Sequence, residues 1–111
     1  MENDCLFCKI INKEIPSDFI YENDRVVVFR DINPQAPLHL LIVPKKHIRS
    51  INDITGEDLG FISEMIIIAR DMAKKELVAE SGYKLFFNVE KGGGQIIFHI
   101  HLHLIGGWKQ D

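Results

Sequence analysis

The sequence predicts an α+β domain with a mostly antiparallel sheet, one long helix and one short helix. Two observations carry this prediction. Short runs of β-branched and aromatic residues follow one another closely enough to pair as antiparallel strands, and one long stretch of helical periodicity separates them. The chain has 111 residues, of which 46% are hydrophobic, so residues 1–111 are expected to form a single domain around one core.

The first half of the chain is predicted to form a short helix and three strands. The apolar residues within 5–12 recur at helical spacing, and Pro16 ends any continuation. Three runs rich in β-branched, aromatic and aliphatic residues are the strands, and they cover 19–21, 26–29 and 38–43. The turn residues Asn23 and Asp24 make the first two strands a hairpin. Pro44 is expected to stop the third strand.

The second half is predicted to contain the long helix and two further strands. The helix should run from about Gly56 to about Glu80, begin with a capping box of Thr55 and Asp58, and stop at Gly82. Strands are expected over 83–88 and 97–105, separated by a flexible glycine loop at 92–94. This order places the helices on one side of the sheet.

Composition excludes several classes of function. The net charge is −3 and the two signs are interspersed, which argues against binding of nucleic acid through bulk charge. The sequence has no apolar run long enough for a membrane span. The acidic segment 1–4 lacks the pattern of a signal peptide, so we expect a cytoplasmic protein.

Three of the five histidines lie in one short stretch, His99-Ile100-His101-Leu102-His103. Successive side chains of a strand point to opposite faces, so a strand here would place the three imidazoles on one face and the aliphatic residues in the core. Imidazole serves as a base, a nucleophile or a metal ligand near neutral pH. The stretch therefore predicts a polar cavity or a metal site.

Two kinds of chemistry remain open for these histidines. In the first, neighbouring imidazoles share a metal ion, and the thiolates of Cys5 and Cys8 contribute further ligands. In the second, one imidazole attacks phosphorus while its neighbours bind phosphate oxygens and assist the leaving group. Both can hold in one chain, because the first histidine can bind a metal while the others carry out chemistry.

The stretch 99–105 matches the His-x-His-x-His-x-x motif of the histidine triad family, in which x is hydrophobic. Several further segments resemble that family, and they are 7–11, 13–16, 31–32, 34–37, 42–48 and 94–95. The ending Gly106-Gly107 resembles the Hint branch of nucleotide-binding nucleoside phosphoramidases. The resemblance implies the fold of this family and a homodimer whose protomers join their sheets.

The resemblance also implies an activity and a set of site residues. Family members attack the α-phosphate of purine nucleotide conjugates through a nucleotidyl-histidine, and His101 matches the nucleophile. His103 and His39 match the groups that contact phosphate and leaving group. The positions that match nucleotide-binding residues are Asp31 for the ribose, Leu6, Phe7, Ile10, Phe29 and Ile32 for the base, and Asn88, Gly94 and Gln95 for the phosphate. A slow nucleotide-binding regulator and a dinucleoside polyphosphate hydrolase are alternatives.

The cysteine pair resembles bacterial members of the family that bind structural zinc. The four positions that match their ligands are Cys5, Cys8, His47 and His99, and no organic cofactor is expected. A zinc hydrolase that uses the triad itself as ligands is a third hypothesis. The sequence departs from the family at Ile96, where relatives carry Ser or Thr beside the phosphate.

Overall fold

A computed structural model describes residues 5–109, so the acidic segment 1–4 lies outside the described residues. The chain forms a five-stranded antiparallel sheet with strand order β1-β2-β3-β5-β4, together with one short and one long helix. Their bounds are α1 Leu6–Ile11, β1 Phe19–Glu22, β2 Val26–Arg30, β3 Leu38–Pro44, α2 Leu59–Lys75, β4 Tyr83–Phe86 and β5 Leu102–Gly106. The predicted α+β class with a mostly antiparallel sheet is confirmed.

The two faces of the sheet are covered by different helices, rather than both helices lying on one side as the sequence suggested. Alternate residues of the central strands, including Val28, Ile42 and Leu104, pack with the apolar side of α2. The intervening residues, such as Phe29, pack with Phe7 and the rest of α1. Because side chains alternate along a strand, the same central strands supply both clusters. The histidines of the triad motif lie on the α1 side.

The long helix is shorter than the predicted 56–80 span. Its first turn, Gly56–Asp58, is a 3-10 turn with the predicted capping box, in which the Thr55 amide donates to the Asp58 carboxylate at 2.9 Å. The helix ends at Lys75 because Leu77 adopts a left-handed conformation, with φ of 65°, in the turn that follows. The Val78 amide then bonds back to the Ala73 carbonyl at 2.9 Å, which is the pattern of a Schellman cap.

The last strand is also shorter than the predicted 97–105 span. It begins only at Leu102, where it pairs with Ile42 of β3. The preceding segment is held elsewhere, because the Ile100 amide donates to the Ile48 carbonyl at 2.7 Å. Strand alternation therefore applies to His103 and does not reach His99. Strand β4 ends two residues before the predicted position, at Phe86.

The glycine loop contains a hydrogen-bonded turn between β4 and β5, at the predicted position 92–94. Lys91–Gly93 form a single 3-10 turn, and the Gly94 amide donates to the Lys91 carbonyl at 3.0 Å. Gly94 has φ of 90°, a conformation that favours glycine. Among residues 5–109, no helix is both long and apolar enough to cross a membrane.

Candidate functional site

The tautomer of His101 follows from its hydrogen bond. Its Nδ1 lies 2.7 Å from the backbone carbonyl oxygen of His99, and a carbonyl only accepts hydrogen bonds. The proton therefore sits on Nδ1, and Nε2 carries a free electron pair. The ring is buried, and the edge-to-face packing of Phe7, with ring centroids 5.0 Å apart, fixes its orientation. The arrangement leaves the electron pair of Nε2 available for a bond to a ligand.

A chain of hydrogen bonds runs from the Gln35 amide through His39 on β3 to His103 on the neighbouring strand β5. Each group in it donates to the next, and we call this chain the relay. The Gln35 amide donates to Nδ1 of His39 at 3.0 Å, so the proton of the neutral His39 ring must sit on Nε2. That nitrogen lies 2.9 Å from Nδ1 of His103 and donates to it. The proton of His103 is consequently on its own Nε2, which is buried and has no hydrogen-bond partner among the described residues.

A buried donor without a partner is rare, because its desolvation is not compensated. The ring that carries it is held firmly: Phe86 stacks on His103 with centroids 4.6 Å apart and an interplanar angle of 6°. The ring centroids of His101 and His103 are 4.8 Å apart. Among the described residues, the fold thus places a ring with an unpaired N–H donor next to the ring of His101.

Burial keeps the histidines of this site uncharged. Desolvation, assisted by the neighbouring imidazoles, lowers the pKa of His103 to about 4. Desolvation likewise lowers the pKa of His101 and of His39, and the Asp31 carboxylate opposes it in both cases. Neutral imidazoles at physiological pH are what a nucleophile and a directed relay both need.

Asp31 lies at the edge of this relay, at the start of the loop after β2. One of its carboxylate oxygens lies 3.6 Å from Nε2 of His39, and the other accepts from the Asn33 amide at 2.8 Å. Its carboxylate is partly exposed, so it can still accept hydrogen bonds from a ligand.

The residues predicted to contact the base fall into two groups. Phe7, Ile10 and Phe29 are buried in the cluster on the α1 side of the sheet. Leu6 is 40% exposed and Ile32 is 89% exposed. The first group is a packed wall, whereas the second presents apolar surface to solvent, where a ligand could contact it.

The residues predicted to contact the phosphate lie together around the glycine turn. A Cβ at Gly94 would lie 3.7 Å from the amide group of Asn88, an ordinary contact distance, so this amide and the turn are neighbours. Gln95 is buried, and its side chain bonds only to backbone: Oε1 accepts from the Glu90 amide at 2.8 Å, and Nε2 donates to the Arg49 carbonyl at 2.7 Å. Gln95 therefore holds the loop in place.

Ile96, the position that departs from the family pattern, lies at the mouth of an open cleft. Its side chain is 87% exposed, so it is not a core residue. The residues that line the cleft are Cys5, Leu6, His47, Arg49, Ile96, Ile97 and Phe98. The cleft has room for part of a ligand beside the cysteine pair.

The four predicted metal ligands meet at one point. Nδ1 of His99 lies 3.3 Å from Sγ of Cys5, 3.5 Å from Sγ of Cys8 and 3.2 Å from Nδ1 of His47. A tetrahedral zinc ion would separate its sulfur and nitrogen ligands by about 3.6 Å and its two nitrogens by about 3.4 Å. The observed spacings therefore fit a tetrahedral ion with two sulfur and two nitrogen ligands.

The orientation of His99 supports this interpretation. Its Nε2 donates to the Pro44 carbonyl at 2.8 Å, which leaves the electron pair of Nδ1 facing the two thiols and His47. A metal-binding histidine usually donates its other N–H to a carbonyl or carboxylate in this way. Cys5 and Cys8 are not joined in a disulfide, and both are buried. The structure thus contains a possible metal site formed by Cys5, Cys8, His47 and His99.

A second group, Asp31, His39 and His103, also has ligand atoms close enough to share an ion. The hydrogen bonds of His39 are not compatible with metal binding by this group. Metal binding at Nε2 of His39 would move the ring proton to Nδ1, where it would face the N–H of Gln35. The relay geometry therefore favours proton chemistry here over the hypothesis that the triad binds a catalytic metal.

Sequence reasoning missed three groups that the site depends on. The Gln35 amide sets the tautomer of His39, the Pro44 carbonyl sets that of His99, and the Phe86 ring supports His103. The first two act through backbone atoms and leave no signal in residue type. Phe86 could have been found from strand pairing, because it lies directly opposite His103 in the β4–β5 register.

Comparison with known proteins agrees with this geometry. Residues 4–110 match the family model described as scavenger mRNA decapping enzyme C-term binding. A protein of Escherichia coli K12 named purine nucleoside phosphoramidase is 47% identical over 107 residues, which cover 96% of this chain and 90% of that protein.

Two solved structures have the same fold. A histidine triad (HIT) family hydrolase from Legionella pneumophila superposes with a TM-score of 0.92 at 51% identity, over 95% of this chain and 94% of that one. A HIT family hydrolase from Clostridium thermocellum gives a TM-score of 0.93 at 41% identity, over 100% of this chain and 96% of that one. The chain belongs to the histidine triad family.

Proposed function

We propose that this protein hydrolyses purine nucleoside phosphoramidates or related adenylate conjugates at the α-phosphate, with His101 as the nucleophile. The observation that carries the proposal is the pairing of two nitrogens: Nε2 of His101 with a free electron pair, and Nε2–H of His103 with no partner among the described residues. The names of the relatives from Escherichia coli and Legionella pneumophila support the same reaction class.

The reaction has two steps on this geometry. Nε2 of His101 attacks the α-phosphorus, an Nε2–P bond forms, and the P–N bond breaks as the amine departs with the bonding pair and with a proton taken from solvent. The carbonyl of His99 holds the Nδ1 proton of the resulting imidazolium. Water then attacks phosphorus and releases a proton to solvent, the Nε2–P bond breaks with its electron pair returning to Nε2, and the nucleoside monophosphate leaves.

The neighbouring histidines stabilise the charge that develops on phosphorus. His103 donates its Nε2–H to a phosphate oxygen, which satisfies the buried donor, and His39 keeps His103 in the required tautomer. Removal of one such donor from a preorganised site typically costs about a hundredfold to a thousandfold in rate. Asn88, together with the turn at Gly94 and Gln95, forms the remainder of the phosphate side.

The nucleoside is bound by an apolar wall and one carboxylate. The base stacks against the wall formed by Leu6, Phe7, Ile10, Phe29 and Ile32, and the exposed side chain of Ile32 closes over it. Asp31 accepts hydrogen bonds from the ribose hydroxyls, because its carboxylate is partly exposed at the edge of the relay. Such a site, apolar with a few placed polar groups, is typical for small ligands.

One observation favours a second candidate function, a nucleotide-binding regulator with slow turnover. Ile96 has no hydroxyl to offer to the phosphate or the leaving group, and its side chain is 87% exposed beside the cleft. A protein that keeps the pocket but turns over slowly would still form the nucleotidyl intermediate. A dinucleoside polyphosphate would be attacked at the same phosphorus, with a nucleotide as the leaving group.

We also propose that Cys5, Cys8, His47 and His99 bind one structural zinc ion. Four protein ligands close the coordination shell, so the ion would cross-link α1 to the segments around His47 and His99 without taking part in the reaction. No organic cofactor is needed for the two steps above. Two neighbouring cysteines that form a possible metal site instead of a disulfide fit a reducing compartment, and we propose a cytoplasmic location.

We propose that the protein is a homodimer whose protomers join their sheets. The outer strands of the sheet are β1 and β4, so each leaves an edge with unpaired backbone groups. Helix α2 also exposes three large apolar side chains, Leu59, Ile66 and Ile67. A second copy would cover both an edge and this apolar surface.

The test of the proposed reaction is intact-mass analysis after rapid mixing with adenosine 5'-phosphoramidate. We expect a covalent adduct with the mass of an adenylyl group, which disappears as AMP accumulates. His101→Gly should give no adduct, while His47→Gln, which changes only the proposed metal site, should still form one. Turnover without any adduct, or an adduct in the His101→Gly protein, would contradict the proposal.

A further inference from the structure

Glu90, which precedes the glycine turn, has an unusual backbone conformation. Its φ is 61° and its ψ is 171°. Residues with a side chain almost never occupy this region, which belongs essentially to glycine, and they remain there only when the surrounding structure holds them. Such residues cluster at functional sites.

The side chain and the backbone of Glu90 are both held by hydrogen bonds. Nη1 of Arg49 donates to both carboxylate oxygens, and the Ser50 hydroxyl donates to one of them at 2.7 Å. The Glu90 amide donates to Oε1 of Gln95 at 2.8 Å, and the Glu90 carbonyl accepts from the amides of Gly93 and Gln95 at 3.0 and 3.1 Å. We call Arg49, Ser50 and the Glu90 carboxylate the Glu90 clamp.

The clamp is connected to the nucleophile through a short segment of chain. Gln95 donates to the carbonyls of Arg49 and Ile97, at 2.7 and 3.1 Å, and thereby fixes the irregular segment that leads to His99. The carbonyl of His99, at the end of this segment, accepts from Nδ1 of His101 and acts together with the Phe7 ring in orienting it. The backbone at Glu90 therefore determines where the turn lies and where this segment begins.

We infer that Glu90 is a positioning residue: its clamped carboxylate holds a glycine-like backbone conformation that orders residues 91–99 and so orients His101. This inference rests on the proposed function for its consequence in catalysis, but the ordering of the segment is independent of it. The clamp is needed because a side chain is present at this position. Glycine would adopt the same conformation without one.

This inference predicts that the smaller substitution, Glu90→Gly, lowers kcat less than Glu90→Ala does. Glu90→Ala removes the clamp but keeps the Cβ that disfavours the conformation, so the turn should relax and kcat for the phosphoramidate should fall at least tenfold with KM changed less than threefold. Glu90→Gly removes clamp and Cβ together, and kcat should stay within about threefold of wild type. An ion pair that only added stability would make these two variants alike.

A double-mutant cycle with Arg49→Met isolates the clamp. In the otherwise wild-type chain, Arg49→Met should lower kcat as Glu90→Ala does. In the Glu90→Gly background, Arg49→Met should have a much smaller effect, because no carboxylate is left to hold and only the contact of Arg49 with the Phe98 ring, which is lost in both backgrounds, is removed. Glu22→Ala, which removes the exposed ion pairs with Lys13 and Lys45, is the matched control and should leave kcat unchanged.

Hydrogen exchange of the amides in 91–99, measured without substrate, is the second measurement. Exchange should be faster in Glu90→Ala and Arg49→Met and near wild type in Glu90→Gly. Equal exchange and equal kcat in Glu90→Ala and wild type would overturn the inference, as would an Arg49→Met effect of the same size in both backgrounds. If the wild-type protein shows no hydrolysis or adduct, the proposed function fails, while the order of exchange rates still decides the role of Glu90.

Discussion

The reactivity of His101 depends on which of its ring nitrogens carries the proton. The His99 carbonyl accepts the Nδ1 proton, so the free electron pair lies on Nε2, the atom that we propose attacks phosphorus. We expect His101→Gly to fold and to lose several orders of magnitude in kcat, because the covalent route is removed. The measurement is steady-state hydrolysis of adenosine 5'-phosphoramidate, with the melting temperature as the control. Wild-type turnover in a folded variant would show that another group is the nucleophile.

His103 makes a second prediction at the scale of one residue, because burial lowers its pKa in the folded state to about 4. The groups that face it are His39, His101 and Asp31. The unfolded chain, with an ordinary histidine pKa of about 6.5, binds the proton first, so this residue makes stability fall as the pH falls from about 6.5 to about 4.

We expect His103→Gln to weaken that pH dependence. As the pH is lowered from 7 to 4.5, the melting temperature of wild type should fall by more than that of the variant. The other titrating groups are the same in both proteins, so their effects on the two melting temperatures cancel in the difference. Thermal unfolding of both proteins at matched ionic strength measures it. A difference that stays constant over this range would show that His103 is protonated alike in both states.

A third prediction at this scale concerns the hydroxyl group that relatives carry at the position of Ile96 and that this chain lacks. A well-placed hydroxyl hydrogen bond contributes about 0.5–1.5 kcal/mol, and more if it tightens in the transition state, while about 1.4 kcal/mol is tenfold in rate. The side chain is 87% exposed, so Ile96→Ser removes no core packing. We expect kcat/KM for adenosine 5'-phosphoramidate to rise roughly threefold to tenfold. Unchanged or lower activity at subsaturating substrate would show that this position does not reach the reacting groups.

At the scale of elements, periodicity predicted where helices and strands occur better than where they end. The alternation of histidines suggested one strand over 97–105, but only the part from Leu102 onward pairs with β3. The first part is held by the backbone of Ile48 and Arg49, and such contacts between distant segments leave no periodic signal. Helix α2 ends earlier than predicted for a different, local reason. Leu77 takes the left-handed position that glycine usually fills, and its residue type gives no sign of this.

The metal site makes a prediction about the element α1. This helix has six residues, too short to be stable alone, and the Cys5 sulfur accepts from the Cys8 amide at its first turn. Zinc bound at Cys5, Cys8, His47 and His99 would attach the helix to two distant segments. We expect one zinc per chain in protein purified without added metal, and Cys8→Ser should lose the metal and melt at a lower temperature.

The effect on chemistry separates this site from a catalytic one. The Cys8→Ser protein, assayed below its melting temperature, should retain kcat within about an order of magnitude of wild type, because all ligands lie outside the pairing of His101 and His103. Elemental analysis and thermal unfolding test the first claim, and kcat tests the second. Fully reduced, folded wild-type protein without zinc would contradict the structural role.

At the scale of the whole molecule, the site draws on widely separated parts of the chain. The triad motif and the resemblance around it located most of the residues that the fold brings together. The sequence could not reveal which ring nitrogen of each histidine donates and which accepts. These roles are set by the amide of Gln35 and the carbonyls of Pro44 and His99, which are backbone groups. Their positions follow from the packing of distant segments and not from residue type.

The last prediction concerns assembly. The sheet ends in the unpaired edges of β1 and β4, and α2 exposes Leu59, Ile66 and Ile67, with Ile67 at 46%. A second copy would pair an edge and bury these side chains, at about 25 cal/mol for each Å² of apolar surface removed from water. We expect light scattering at micromolar concentration to give about twice the chain mass of 12.8 kDa. Ile67→Glu should shift the protein toward the monomer, while Leu77→Glu, at a residue 87% exposed beyond the end of the helix, should not. A wild-type protein that stays monomeric at this concentration would show that the edge and the apolar surface are left to solvent.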